Sequence, residues 1–231
     1  MSKLESSKNF IRFMLDVGVL RFGDFTTKSG RQTPYFVNTG AYRSGSHIRR
    51  LSEFYADAAI EAFGRDFDNL YGPAYKGIPL AAATALTLEA KHQHNVTFTY
   101  NRKEAKDHGE GGSLVGDQYE NAEPKRIVII EDVTTAGTSV YETMERLKHY
   151  PHVEVVGLLV SVDRQERGRT DKSALSELSE TFGFKTCAII KLQELIAALE
   201  EGLQNEENWA ENLDSRLIDK IRGYYKAFGG L

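Results

Sequence analysis

The chain is poor in the features that would point outside an ordinary soluble fold. It has a single cysteine among 231 residues, which excludes an intrachain disulfide framework and sets the expectation of a reducing, cytoplasmic location. That residue, Cys187, lies in the apolar run 186–190 and reads as a small buried hydrophobe rather than a nucleophile. No apolar run approaches the roughly 20 residues of a membrane span. The opening Met-Ser-Lys-Leu-Glu-Ser-Ser-Lys lacks the apolar centre of a signal peptide. Charge of one sign is also missing: 29 Lys and Arg stand against 33 Asp and Glu, a formal net charge of -4. Neither nucleic acid nor a membrane surface is therefore expected as a partner. His47, His92, His94, His149 and His152 read as surface residues, and no His/Cys group has metal-ligand spacing. There is no Gly-x-Gly-x-x-Gly fingerprint and no Gly-Lys-Ser/Thr nucleotide loop.

What is present is a 41% hydrophobic sequence, long enough for a sizeable core. Phe10, Phe13, Met14, Val17 and Leu20 recur at helical spacing behind Ser6 and Ser7, a plausible N-cap. Residues 22–37 alternate in a way that suggests short strands and turns, and residues 51–63 return to helical spacing. A theme then repeats: a short apolar run, a polar loop, a helix. The runs are 70–71, 96–100, 127–130 and 153–162, with helices to about 90 and 148 after the first and third. A further helix (175–181), a strand around Cys187, a helix at 192–201 and an amphipathic helix over about 212–228 complete the chain. Trp209, the only tryptophan, is expected to anchor that last helix. Strands alternating with helices imply an α/β domain with a mostly parallel sheet. In such sheets ligands bind outside the carboxyl ends of the strands, where every polar cluster of this sequence falls.

The sharpest of these clusters follows residues 127–130. Glu131-Asp-Val-Thr-Thr-Ala-Gly-Thr-Ser139 places two acids before a loop of small residues and a helix. Small residues let backbone N–H groups approach a phosphate, and the helix offers its N-terminus to the same anion. Carboxylates repel phosphate, so Glu131 and Asp132 must face sugar hydroxyls or a cation. An ordinary strand-to-helix turn has the same spacing. Gly72-Pro-Ala-Tyr-Lys-Gly-Ile-Pro79 permits close backbone approach and adds the point charge of Lys76. Read alone, it is equally a Gly/Pro turn with one solvated lysine. Residues 101–116 carry Arg102, Lys103, Lys106 and His108 beside several glycines, as a solvated charged face or a closing lid would. Arg164, behind the run 153–162, suits a carboxylate through two parallel N–H donors, or else pairs with an acid of its own loop.

The acidic loop resembles the phosphoribosyl-diphosphate (PRPP) motif of the type I phosphoribosyltransferase family. The stretches 28–36, 72–79 and 163–168, with the 102–108 lid, are similar to the orotate-using members. These motifs run in the expected order from residue 28 to 168. The resemblance implies a type I phosphoribosyltransferase fold in one domain, with a small N-terminal hood over residues 1–42. The implied activity is transfer of the ribosyl phosphate group from PRPP to orotate, giving orotidine 5′-monophosphate and diphosphate in pyrimidine (UMP) biosynthesis. Lys28, Tyr75, Lys76, Arg102, Lys103, Lys106 and His108 would bind PRPP, together with Glu131, Asp132, Val133, Thr134, Thr135, Ala136, Gly137, Thr138 and Ser139. Phe36, Val37, Thr135 and Arg164 would meet orotate, and Lys103, Lys106, His108 and Asp132 would serve catalysis. Mg²⁺ is implied, held mainly by PRPP and water, with no side-chain ligands expected. So are a homodimer whose lids close over the neighbouring site and a cis peptide bond between Ala74 and Tyr75. The chain departs from the family pattern at Glu131, usually Asp, and at Val37, often a second aromatic. A transferase for another base and a PRPP-binding regulator are the alternatives. The 28–36 stretch with Arg164 argues against the first, and the complete lid against the second.

Overall fold

The computed structural model describes residues 3–27, 30–102, 113–120, 123–134, 136–205, 209 and 213–230. Its centre is a six-stranded sheet in the order β5-β4-β3-β6-β7-β8. The strands are β3 (Asn69–Tyr71), β4 (Thr97–Asn101), β5 (Leu114–Gly116), β6 (Lys125–Glu131), β7 (Val153–Asp163) and β8 (Lys185–Lys191). All neighbouring pairs are parallel except β4 with β5, which is antiparallel. The mostly parallel sheet is thus as expected, while β5 closes one edge from within the 101–116 stretch, read as a charged face or a lid.

Parallel strands covered on both faces need apolar residues in unbroken runs, and β6 supplies one. Ile127, Val128, Ile129 and Ile130 are all 0% exposed. Their side chains alternate between two cores, Val128 and Ile130 in one, Ile127 and Ile129 in the other. The first core gathers α1 (Lys3–Asp16), α2 (Gly45–Phe63), α3 (Gly77–His92), α6 (Leu192–Gln204) and α7 (Ser215–Phe228). The second gathers α4 (Thr138–Leu147) and α5 (Ala174–Phe182). A separate antiparallel pair, β1 (Leu20–Thr26) and β2 (Gln32–Val37), follows α1.

Chain order places the site. From β3 the chain passes to β4 on one side and returns to β6 on the other. The loops leaving β3 and β6 therefore diverge at adjacent carboxyl ends, which opens a crevice there.

Three expectations are corrected. The first helix already contains Lys3, so Ser6 and Ser7 do not cap it; Ser7 is 3% exposed and shares the buried face of Phe10, Ile11 and Met14. Leu20 belongs to β1 rather than to that helix. His94 is not a simple surface residue: it packs edge-on to Phe67 at 4.7 Å, its Nε2 is buried without a hydrogen-bond partner, and burial lowers its pKa. Trp209 lies against Gly202 of α6 and beneath Arg12 of α1, whose guanidinium is 4.7 Å from the ring centre. These contacts tie α6 to α1. Cys187 is half-buried, and burial pushes its thiol up to about 12, an inert group as read.

Candidate active site

The loop after β3 is folded tightly upon itself. A side chain on Gly72 would lie 2.2 Å from the Gly77 carbonyl oxygen, and one on Gly77 would lie 2.7 Å from the Gly72 carbonyl carbon. Only glycine allows that closure. The Ala74–Tyr75 peptide bond is cis, as the resemblance implied. The Ala74 N–H donates to Asn101 Oδ1 at the end of β4 (3.0 Å). Tyr75 is left 66% exposed. Lys76 reaches across the crevice and donates to Asp132 Oδ2 (2.9 Å) and Thr39 Oγ1 (2.8 Å).

The loop after β6 is pinned from two neighbours. The Asp132 carbonyl accepts from the Ser161 N–H (2.9 Å) and hydroxyl (2.6 Å) of β7. The Glu131 carbonyl accepts from the Tyr55 hydroxyl of α2 (2.6 Å). These bonds hold the backbone and leave the two carboxylates to the crevice. Thr39 also donates to Asp132 Oδ2 (2.6 Å). Farther along, the Gly137 N–H donates to Thr134 Oγ1 (3.1 Å), and Gly137 takes a left-handed φ of 66°. It is the cap residue of α4 and supplies no side-chain cap. The first turn of α4 thus presents its N–H groups and positive dipole end at the loop. Ala136 and Thr138 are exposed there, Ser139 is half-buried, and Val133 packs toward the core.

The two acids differ in environment. Burial pushes Glu131 up to about 7, with the Asp132 and Glu142 charges adding and Ser139 and Lys76 opposing. Asp132 instead carries the ion pair with Lys76. Beside them lies a cavity of about 190 Å³ lined by Thr39, Tyr42, Leu51, Tyr55, Lys76 and Asp132, among others. It is an apolar recess with a polar rim of one cation and one anion.

Arg164 directly follows β7 and is 9% exposed. Its Nη2 lies 2.6 Å from Glu166 Oε1, and its guanidinium is 5.1 Å from the ring centre of Tyr35 in β2. The pairing with an acid of its own loop is therefore real. That contact is an ion pair without hydrogen-bond alignment, so both Nε and Nη2 are left without a hydrogen-bond partner. Phe36 faces outward, 39% exposed and 5.5 Å from Phe25, while the half-buried Val37 joins the first core.

The structure thus brings together Lys76, Glu131, Asp132 and residues 133–134 and 136–139, and places Arg164 at the end of the next strand. Arg102 ends β4's run, its N–H bonded to the Ser113 carbonyl. Lys28, Lys103, Lys106, His108 and Thr135 lie outside the described residues. Thr39, Tyr55, Asn101 and Ser161 enter the site although sequence reasoning singled out none of them, Asn101 opening the 101–116 stretch that was read for its cations. Each is one polar residue in an otherwise unremarkable stretch, without a local pattern to mark it. Among the described residues no group of three or more His, Cys, Asp or Glu is placed to hold a metal ion. Nor is any helix among them long and apolar enough to cross a membrane.

A family model for the phosphoribosyl transferase domain matches residues 39–186. The chain is 50% identical over 222 residues to the orotate phosphoribosyltransferase of Clostridium acetobutylicum, covering 96% of this chain and 97% of that one. It is 52% identical over 223 residues to the enzyme of the same name from Clostridium beijerinckii, with the same coverage. The crystal structure of orotate phosphoribosyltransferase from Francisella tularensis superposes with a TM-score of 0.81 at 35% identity, over 96% of this chain and 100% of that one.

Proposed function

The chain belongs to the phosphoribosyl transferase family and, within it, to the orotate phosphoribosyltransferases, and from that premise we propose which of its residues carry the reaction. The reaction transfers ribosyl phosphate from PRPP to orotate, giving orotidine 5′-monophosphate and diphosphate in pyrimidine biosynthesis. The observation that supports the assignment best is the pair of acids ending β6, followed at once by the uncapped start of α4. The 5-phosphate binds at residues 133–139, where N–H groups and hydroxyls face it. Glu131 and Asp132 accept from the ribose hydroxyls.

Asp132 accepts from Lys76 and Thr39. PRPP binding exchanges these partners: the ribose takes the carboxylate, and Lys76 turns to the diphosphate. As the bond at ribose C1 breaks, positive charge grows on the ring and negative charge on the leaving group. The fixed carboxylates stabilise the former. Lys76, with Lys103, Lys106 and His108 of the lid, stabilises the latter. Tyr75 and Lys28 complete the PRPP contacts, with Arg102 at the root of the lid. Phe36, Val37 and Thr135 flank the flat base, and Arg164 reads its carboxylate.

Mg²⁺ belongs to this reading, supplying neutralisation of the diphosphate charge. Two adjacent carboxylates without a third ligand among the described residues suit a hydrated ion carried in by substrate better than a fixed protein site. A homodimer sharing its lids, a hood over residues 1–42 and a cytoplasmic location complete the proposal. The test is the fall in orotate absorbance on mixing with PRPP and Mg²⁺. Turnover of orotate but not of adenine or uracil is expected. Turnover of another base in its place, or PRPP binding without turnover, would overturn it.

A further inference from the structure

Arg164 is held by a carboxylate that has no part in the roles above. Glu166 Oε1 lies 2.6 Å from Arg164 Nη2 and accepts a hydrogen bond from the Tyr224 hydroxyl of α7 at 2.8 Å. Its other oxygen, Oε2, is 3.7 Å from Arg31 Nη1, beside the start of β2. The Glu166 side chain is only 11% exposed. One buried carboxylate thus joins the loop after β7, the last helix and the β1–β2 hairpin.

The surrounding backbone holds that node in place. The Arg167 N–H donates to the Phe228 carbonyl (3.0 Å), and the Gly230 N–H to the Gln165 carbonyl (2.9 Å). Glu166 and Gly229 form an antiparallel bridge. Gln165 sits at a φ of 51°, a left-handed turn, with its N–H donating to Asp163 Oδ1 (2.8 Å) and its Oε1 accepting from the Gln193 N–H (2.9 Å). The turn therefore has little freedom to move Arg164 independently of α7.

Charge points the same way. Two arginines share one carboxylate, so the cluster carries one net positive charge with the tyrosines neutral. Burial and the Glu166 charge push the Tyr35 hydroxyl far upward, so it stays protonated. Tyr224 is likewise raised by burial and by Glu166. The excess positive charge of this cluster, whose Arg31 side chain is 34% exposed, favours a monoanionic ligand over a neutral one of the same shape.

We propose that Glu166, fixed by Tyr224, is a positioning residue that orients Arg164 toward the carboxylate of the base and so sets the preference for a carboxylated pyrimidine over uracil. This rests on Arg164 reading that carboxylate. Without Glu166 the guanidinium keeps its charge but loses the ion pair that holds it beside the Tyr35 ring, and a bidentate contact depends on its orientation.

The test compares Glu166→Gln, Tyr224→Phe and Arg164→Ala with the unaltered enzyme, each checked for folding by circular dichroism and thermal midpoint. Glu166→Gln is expected to raise the KM for orotate about tenfold and Tyr224→Phe about threefold, as loss of bonds to a charged group would. The KM for PRPP should stay within about twofold in both, a split that general loosening of the fold does not produce. The ratio of orotate to uracil turnover should fall in the same order. Tyr224→Phe keeps the test decisive if Glu166→Gln does not fold. An orotate KM unchanged or lowered in both variants, while Arg164→Ala raises it, overturns the positioning role alone. An orotate KM insensitive to Arg164→Ala overturns the reading of Arg164, and this inference with it.

Discussion

Burial pushes Glu131 up to about 7, well above the ordinary glutamate value of about 4.5. Between those values the folded state binds more protons than the unfolded one, so its contribution to stability falls as pH rises. The burial cost is absent below about pH 4.5 and fully felt above about pH 7. At most it amounts to between about 3 and 4 kcal/mol, the shift converted at about 1.4 kcal/mol per unit. Glu131→Gln, which cannot ionise, should therefore be more stable than the parent at pH 8 and differ little from it at pH 5. Urea unfolding at the two pH values measures this, and an equal difference at both would refute it. The same variant should bind PRPP more weakly, because an amide replaces the charged acceptor of the ribose hydroxyls. At this scale the sequence was only half legible. Asp132 stood out beside its small-residue loop, but Thr39, which bonds it from 93 residues away, had no local signature. Such a partner is selected by the meeting of distant segments, and no periodicity records that meeting.

Among the elements, the long apolar runs were the most legible and the short or capped ones the least. Residues 127–130 and 153–162 lie within β6 and β7 because runs dominated by branched apolar residues, four in succession in the first, leave few other conformations for a buried chain. The three-residue β5 escaped because it has no periodicity of its own and gains its order from pairing with β4. The misplaced start of α1 has a similar cause. Ser7 lies one helical step before Phe10 and Ile11 and is buried with them, so the packing of a face overrode the capping preference of serine. Glycines test this scale in opposite directions. Gly72→Ala would drive a methyl group to 2.2 Å from the Gly77 carbonyl, backbone that cannot yield without opening the loop. A loss on the order of 3 kcal/mol is expected, seen as a thermal midpoint lowered by roughly 6–12 °C. Gly223 lies exposed within α7, with nothing within 4 Å of an added methyl group. Gly223→Ala should stabilise by about 0.5–1 kcal/mol through helix propensity. A midpoint unchanged or raised in Gly72→Ala would contradict the steric reading of Gly72, and one lowered in Gly223→Ala would contradict the propensity argument.

At the scale of the whole molecule, the open question is whether one chain makes a complete site. The described residues supply the acceptors for ribose and Lys76, while most of the cations proposed for the departing diphosphate belong to the lid. If Lys103 acts mainly as diphosphate leaves, Lys103→Ala should lower kcat far more than it weakens PRPP binding. Equal losses would mean that it binds the ground state just as well. Where that lysine comes from is a separate matter, and mixed dimers decide it. Lys103→Ala and Asp132→Asn should each be inactive as homodimers. If each lid serves the neighbouring subunit, a heterodimer of the two places both defects in one site and neither in the other. Random exchange of equal amounts gives about half heterodimers, so roughly a quarter of all sites should be intact when exchange is free and the interface isologous. Activity returning on mixing to about that fraction of the parent enzyme supports the shared site. Heterodimers verified by mass spectrometry yet no more active than the separate variants would show that each lid serves its own subunit, or that the two sites cannot work independently.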